Sequence, residues 1–427
     1  MLSAALLIGL SSNAIAQTQA QKDDAKWIYE RITGVKWAAD HPLIVQAATM
    51  VAAGQRADVA ALATQQSQFL NVTVKNFALE MSTRDETIRI PLNDFAATIM
   101  GVVRDNTDAR ELLYGNFFYV GDPARIPAGI PNVIANANEM GARVLRSNEH
   151  YAALDSKNNR LDVGSVLMRV NGQRLVQSEA NNVFTIVANP DPAGVLTSRT
   201  FIEAHAVAGT NRRPVEYTFR QFMCLPLEQW ADALSSDVRI GRDIDRFPGG
   251  DHMKFQTSCK SCHTVMDGFR GAWARWDFEN DVALQTTVRQ GASDGNRVLN
   301  KLNRNATVYP GGYVTTNDSW VNHAARGVNA TQFGWRGLDK VTPANSGTGV
   351  GDFGRLVANS QRFSTCMAKR VFKSVCRKDL ADSEIAVYAS LGTQFENLCE
   401  FATSLPKSPT PVPELAGVTL SRPLQPN

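Results

Sequence analysis

The feature that most constrains this chain is a five-residue segment, Cys259-Lys260-Ser261-Cys262-His263. The whole sequence contains only six cysteines and six histidines, and this segment holds two of the cysteines and one of the histidines. In a helix these three residues stand at positions i, i+3 and i+4, so both thiols and the imidazole share one face. The spacing therefore predicts a helix here and a site that holds a ligand on that face.

The pattern C-x-x-C-H is the attachment sequence of a c-type haem. Two thiols one helical turn apart can form thioethers to the two vinyl groups of one porphyrin, and the adjacent imidazole can bind the iron. We therefore predict one covalently attached haem c, held by Cys259 and Cys262, with His263 as iron ligand. The alternatives are a thioredoxin-like dithiol, which would follow a strand in a βαβ unit, a structural disulfide, and half of a zinc site, which would need a second Cys or His pair.

The sequence leaves the sixth iron ligand open. Electron carriers use Met or His at this position, and the candidates are Met367, His252, Met253, His323 and Met266. We prefer Met367, because it lies about one hundred residues after the motif in a predicted helix and could approach from the opposite side. A Met in such a helix is also an ordinary core residue. Met266, on the same helix as His263, should lie on the proximal side.

The segment "GFRGAWARWDF" follows the motif and supplies further candidates for haem contacts. Trp273 and Trp276 could pack against the porphyrin edge, and Arg270 and Arg275 could pair with its propionates. An amphipathic helix with core tryptophans and solvated arginines is the equally open alternative.

The start of the chain predicts export. "AALLIGL" is an apolar stretch too short to span a bilayer, and Ala14-Ile15-Ala16 before Gln17 has the small-x-small pattern of a signal peptidase site. We therefore predict a signal peptide over 1–16 and a periplasmic or otherwise extracytoplasmic location. No later stretch of about 18 apolar residues predicts a transmembrane segment.

The four remaining cysteines are Cys224, Cys366, Cys376 and Cys399. An even number in an exported protein can form two disulfides. If residues 360–377 form a single helix, Cys366 and Cys376 are about 15 Å apart and cannot bridge each other. Each of these two would then pair with Cys224 or Cys399.

Hydrophobic periodicity predicts a mainly α fold. Helical patterns cover 41–54, 57–81, 92–103, 200–207, 215–234, 355–375 and 382–405. A small β-hairpin is predicted where Asn171-Gly172 separates "SVLMRV" from "QRLVQ". From 291 to 351 the chain is rich in Asn, Gly and Thr, which favours a long irregular surface insertion, and "GVGDFG" at 349–354 is interpreted as a loop.

We predict an N-terminal helical domain over 17–240, a cytochrome c-like haem domain over 241–405 and a Pro-rich tail over 406–427. The composition, with 44% apolar and 20% charged residues, is that of a globular protein. A net charge of +3 without a basic stripe gives no indication of nucleic-acid binding.

The chain resembles a group of uncharacterised exported bacterial cytochrome c-like proteins, whose haem segment has the form C-x-x-C-H-x-x-M-D-P-x-G-F followed by an aromatic-Asp pair. Met266-Asp267 and Trp276-Asp277 fall in the matching places. "ARELLYGNFFYV", "HYAAL", "RRPVEYTFRQFMCLPL" and "FSTCMAKRVF" are similar to other parts of these proteins. Gly268 stands in place of Pro, and Arg270 in place of Gly. The resemblance implies haem c and export, and no established reaction.

These features together predict an exported monohaem c-type cytochrome that transfers single electrons to or from a redox partner protein of unknown identity. Two alternatives remain open at this point. One is a haem enzyme with an open iron site, of the peroxidase or oxygenase type. The other is a surface structural protein in which haem staples a helical module.

Overall fold

The computed structural model describes residues 17–136, 139–177, 184–207, 209–230, 235–279, 282–285, 300–336 and 345–379. This part of the chain is mainly helical, as the periodicity predicted. The predicted signal peptide, the predicted helix over 382–405 and the Pro-rich tail lie outside the described residues.

Fourteen α-helices lie in the described residues, and none of them is long and apolar enough to cross a membrane. They are α1 Gln19–Thr33, α2 Pro42–Ala52, α3 Arg56–Thr64, α4 Lys75–Ser82, α5 Asp94–Arg104, α6 Glu149–Leu154, α7 Val163–Val166, α8 Arg199–His205, α9 Arg213–Met223, α10 His252–Lys254, α11 Lys260–Phe269, α12 Gly327–Phe333, α13 Gly349–Ala358 and α14 Gln361–Cys376.

Most predicted helices are present, and three are interrupted. The pattern over 355–375 is divided between α13 and α14. The pattern over 57–81 is divided into α3, a π-helical turn Phe69–Val74, and α4. The pattern over 215–234 gives α9, which ends because Cys224 adopts a left-handed conformation with φ 48°. Pro226 follows two residues later, and such a residue cannot continue a helix.

The described strands form three small sheets. The strands are β1 Phe117–Gly121, β2 Leu167–Asn171, β3 Gln173–Gln177, β4 Phe184–Ala188, β5 Trp276–Glu279, β6 Val282–Gln285, β7 Ser319–Val321 and β8 Ser346–Thr348. β1 pairs with β2 and β7 with β8, both antiparallel, and the third sheet has the order β4-β3-β6-β5.

The predicted β-hairpin at Asn171-Gly172 is wrong. Both strands exist, but β2 pairs with β1 and β3 pairs with β4 and β6. A two-residue type I′ turn needs positive φ at both central residues, and neither Asn171 nor Gly172 has it. Instead the Gly172 amide donates to the Asn116 carbonyl at 3.2 Å, and its carbonyl accepts from the Asn189 amide at 3.0 Å. The chain therefore passes from one sheet to the next without reversing.

The prediction of an irregular surface insertion over 291–351 is correct only in part. The described residues of this range contain little regular structure beyond β7, α12 and β8. However, Trp320 and Phe333 are at most 1% exposed and belong to the core. The interpretation of "GVGDFG" as a loop is wrong, because it starts α13, whose first free amides at Val350 and Gly351 donate to the Asp191 carboxylate.

The two halves of the described chain are joined by packing, by a sheet and by one disulfide. A single buried cluster contains residues from Ala25 to Met367. Strands β3 and β4 share their sheet with β5 and β6 from beyond the predicted domain boundary at 240. Cys224 at the end of α9 is bonded to Cys366 in α14, which confirms that Cys366 pairs with one of its two predicted partners. Cys399 lies outside the described residues.

Candidate functional site

The C-x-x-C-H segment lies on a helical run that extends from His252 to Phe269 through α10, a π-helical turn and α11. The Asp251 side chain starts this run by accepting a hydrogen bond from the Met253 amide at 2.8 Å. Phe255 anchors it, because its ring is buried and the Arg246 guanidinium lies 4.7 Å from the ring centroid. The helix predicted from the cysteine spacing is therefore present.

Cys259 and Cys262 are both partly buried thiols, and neither is in a disulfide. Cys259 is the residue immediately before α11, and Cys262 lies in its first turn. Burial raises the pKa of the Cys262 thiol, and the Ser261 hydroxyl only partly offsets this. A thiol is less nucleophilic than a thiolate, so Cys262 lacks the lowered pKa that activates a cysteine of a redox enzyme.

His263 has one buried and unpaired ring nitrogen. Its side chain is 22% exposed, but Nδ1 is buried and has no hydrogen-bond partner among the described residues. Nδ1 lies 3.7 Å from Oδ1 of Asp267, one turn further along α11. The imidazole is therefore held at the helix surface with Nδ1 directed inward.

Asp267 is the centre of a buried charged cluster. Its side chain has no exposed surface. It accepts hydrogen bonds from Nε and Nη2 of Arg212 and, at 2.7 Å, from the Gly241 amide. Arg212 also binds Asp243 with contacts of 2.5 and 3.0 Å. Burial alone would raise the pKa of Asp267, but the charges of Arg270 and Arg212 hold it far below its usual range.

Arg270 is 1% exposed, and its three guanidinium nitrogens make no hydrogen bond within the described part of the chain. Nη1 lies 3.6 Å from Oδ1 of Asp243. Burial lowers the pKa of Arg270, and the nearby charge of Asp267 opposes this effect. Buried guanidinium N–H groups without hydrogen-bond acceptors are compatible with the predicted contact to an anionic group such as a propionate. Arg275, the other predicted partner, binds Asp318 at 3.1 Å.

Trp273 and Trp276 are core residues in this structure. Both side chains are fully buried. Trp273 donates to the Leu196 carbonyl at 3.2 Å, and its ring lies 5.0 Å from that of Phe353. The packing that is observed is therefore that of the structural alternative, and a porphyrin contact stays a prediction.

Met367 is buried beside the N-terminal helices. It lines an apolar cavity together with Phe77, Ile99, Val103 and Val371. No residue from 259 to 263 lines this cavity. The role of Met367 as sixth ligand stays a prediction.

The other ligand candidates have different surroundings. Nδ1 of His252 lies 2.8 Å from the Arg246 carbonyl, and Met253 is 63% exposed. Met266 is 7% exposed and faces the core. Nε2 of His323 is buried without a hydrogen-bond partner, and burial, assisted by the charge of Arg239, lowers the pKa of this imidazole.

Gly268 lies where α11 closely approaches another part of the chain. A Cβ atom at this position would lie 2.6 Å from the Val321 carbonyl oxygen and 3.0 Å from the His323 ring. The backbone of α11 therefore approaches the strand β7 more closely than any larger residue permits.

The donor set fits a c-type haem. Two unbridged thiols stand one turn apart, and the adjacent imidazole has an orphaned inner nitrogen. Among the described residues, no three His, Cys, Asp or Glu side chains converge as a metal site would require. Haem attachment does not require three converging metal ligands, because the thiols bond to the vinyl groups and only the imidazole binds the iron.

Sequence reasoning missed Arg212, Asp243 and the Gly241 amide. These groups are 55, 24 and 26 residues from Asp267, and no local pattern connects them. The pairing of His263 with Asp267 could have been inferred, because i and i+4 side chains are neighbours on a helix. Comparisons with family models, with curated proteins and with solved structures found no match for this chain.

Proposed function

We propose that this protein is an exported monohaem c-type cytochrome that carries single electrons. The observation that carries the proposal is the arrangement at the start of α11, where two unbridged thiols and an imidazole lie within one helical turn. When bound, haem c supplies an Fe(III)/Fe(II) couple. The chain itself would hold the porphyrin through Cys259 and Cys262 and ligate the iron through Nε2 of His263.

The buried charged cluster supports a role in electron transfer. Arg212 and Arg270 balance Asp243 and Asp267, so the described cluster is neutral overall and sits in a buried environment. Fixed charges and hydrogen bonds around a haem set its reduction potential. A rigid cluster of this kind needs little rearrangement when the charge on the iron changes by one.

Export is part of the same proposal. The pattern of residues 1–16 is that of a signal peptide. The Cys224–Cys366 disulfide supports it, because such bonds persist mainly in oxidising compartments. A redox partner protein outside the cytoplasm would then supply or accept the electron.

The test is expression of the full chain in a bacterium that attaches haem c to exported proteins. We expect the purified protein to give a positive pyridine haemochrome assay, an added mass of one haem, and a reversible one-electron couple. Cys259→Ala/Cys262→Ala should lose the covalent haem. The matched control Cys224→Ala/Cys366→Ala also removes two cysteines and should retain it. A blank haemochrome assay in the wild-type protein would reject the proposal.

A haem enzyme with an open iron site is the second candidate, and the position of Met367 favours it. Because Met367 packs in a cavity lined by α4 and α5, the sixth position could be left to a substrate. This candidate predicts a high-spin ferric spectrum that shifts with cyanide or peroxide. Electron carriage alone predicts a low-spin spectrum, which should become high-spin in Met367→Ala if that residue is the ligand.

A further inference from the structure

The inner nitrogen of His263 lies close to the carboxylate of Asp267. Nδ1 is buried, and the Asp267 carboxylate lies 3.7 Å away on the next turn of α11. The two residues are at i and i+4, so the helix itself places them on one face. No described residue forms a hydrogen bond with this nitrogen at the observed distances.

Asp267 is fixed by groups that do not belong to its own helix. Arg212, just before α9, donates to both carboxylate oxygens, and the Gly241 amide donates to Oδ2 at 2.7 Å. Arg212 is held in turn by Asp243. Because these contacts come from two separate chain segments, they hold the Asp267 carboxylate in place independently of the orientation of the His263 ring.

The chemistry of a neutral imidazole then decides which nitrogen carries the proton. One ring nitrogen is a donor and the other an acceptor, and the hydrogen bond at one of them selects the tautomer. Three N–H groups already donate to Asp267, so it can serve His263 only as an acceptor. A small turn of the ring toward this carboxylate would hold the proton on Nδ1 and leave the lone pair of Nε2 for a ligand.

We propose that Asp267 is a positioning residue, which fixes His263 in the Nδ1–H tautomer and thereby presents Nε2 as a metal ligand. Histidine ligands commonly donate their second N–H to a carboxylate, which orients the ring and makes it more basic. The proposal rests on the proposed function in one respect, namely that the metal is haem iron. In that case the carboxylate stabilises the ferric state and lowers the reduction potential.

The first measurement is made on the wild-type full chain, as purified after export. Nitrogen-15 NMR of the histidine side chains in the reduced protein reports the tautomer of each ring, and the His263 signal is identified by its loss in His263→Gln. We expect a proton on Nδ1 with the downfield shift of an N–H that donates to a carboxylate. An Nδ1–H shift typical of an imidazole without a carboxylate acceptor would overturn the proposal, and this measurement requires no Asp267 variant to fold.

The second measurement compares Asp267→Asn with a matched control, Asp243→Asn. Both changes remove one carboxylate that binds Arg212, but only Asp267 contacts His263. We expect the Nδ1–H resonance to move upfield in Asp267→Asn alone. In Asp267→Asn the ferric-to-ferrous ratio at a fixed applied potential should fall roughly tenfold. This change is equivalent to a rise of about 59 mV in the reduction potential of a one-electron couple.

Asp267→Glu should recover part of both effects, because it restores a carboxylate. Equal changes in the two Asn variants would show a general effect of charge and would overturn the positioning role. The pyridine haemochrome assay on the same samples separates this proposal from the proposed function. If haem is absent, the proposed function fails, and the tautomer of His263 still decides whether Asp267 positions it.

Discussion

The Cys224–Cys366 disulfide connects the end of α9 to the middle of α14, and its removal gives a quantitative prediction. The two residues are separated by 142 positions. In the chain-entropy treatment, a crosslink over a loop of that length lowers the entropy of the unfolded chain by about 17 cal/mol/K, or about 5 kcal/mol at 25 °C. Measured values usually fall below this limit, so we expect removal to lower the free energy of unfolding by about 3–5 kcal/mol.

The assay is urea unfolding of the wild type, Cys224→Ala, Cys366→Ala and the double variant, with free thiols alkylated. Either single change breaks the bond, so the double variant should lose little more stability than each single one. This strong non-additivity separates the crosslink from the packing of the two side chains. Thr365→Ala, the neighbouring position in α14, serves as control and should stay within about 0.5 kcal/mol of the wild type.

Two results would refute this reasoning. The first is a double variant that loses less than about 1 kcal/mol, which would mean that the crosslink does not restrict the unfolded chain. The second is a pair of single-variant losses that add up to the loss in the double variant. Additive losses would assign the stability to local packing of the two sulfur atoms.

Three further predictions concern other buried features. Arg212→Met leaves two buried carboxylates without their main counter-ion and should lower the free energy of unfolding by about 3–5 kcal/mol in urea titrations. The control Arg355→Met removes an exposed ion pair with Asp352 and should change the free energy of unfolding by at most about 1 kcal/mol. Equal losses in the two variants would contradict the importance of burial. Burial, with the charges of two nearby arginines, lowers the pKa of His205 to about 3, against about 6.5 when unfolded. The stability that neutral His205 contributes to the folded state is therefore complete above about pH 6.5. It is lost as the pH falls from there toward 3, by up to about 1.4 kcal/mol per pH unit. His205→Phe should reduce the drop in unfolding free energy between pH 7 and pH 5, and an unchanged drop would show that another group causes it. Gly268→Ala places a Cβ atom 2.6 Å from a carbonyl oxygen and should lower the free energy of unfolding by about 1–3 kcal/mol in thermal or urea unfolding. The control Gly311→Ala, whose Cβ would have its nearest atom at 3.5 Å, should be nearly neutral. Similar losses in the two variants would mean that the close approach is not the cause.

The helices, including the one that carries the C-x-x-C-H segment, could be predicted because their signals are local. Apolar residues at helical spacing gave α2, α5 and α14, and the cysteine spacing gave the helix that carries Cys259, Cys262 and His263. The same information excluded a bond between Cys366 and Cys376, because both lie on one helix. A helix is closed by bonds between residues four apart, so nearby sequence specifies most of it.

Strand pairing and the surroundings of the site were decided by tertiary structure. Asn171-Gly172 has the composition of a tight turn, yet its backbone bonds to Asn116 and Asn189 hold it extended. Trp320 and Phe333 lie in a segment without periodicity, and only packing against the distant helices buries them.

The sequence by itself determined that two cysteines and a histidine share one helical face. Only the tertiary structure decided that Arg212, Gly241 and Asp243 surround Asp267, and that Met367 packs against α4 and α5. The physical reason is that a helix fixes contacts within a few residues, whereas burial of a charge requires partners that the folded chain brings from far away.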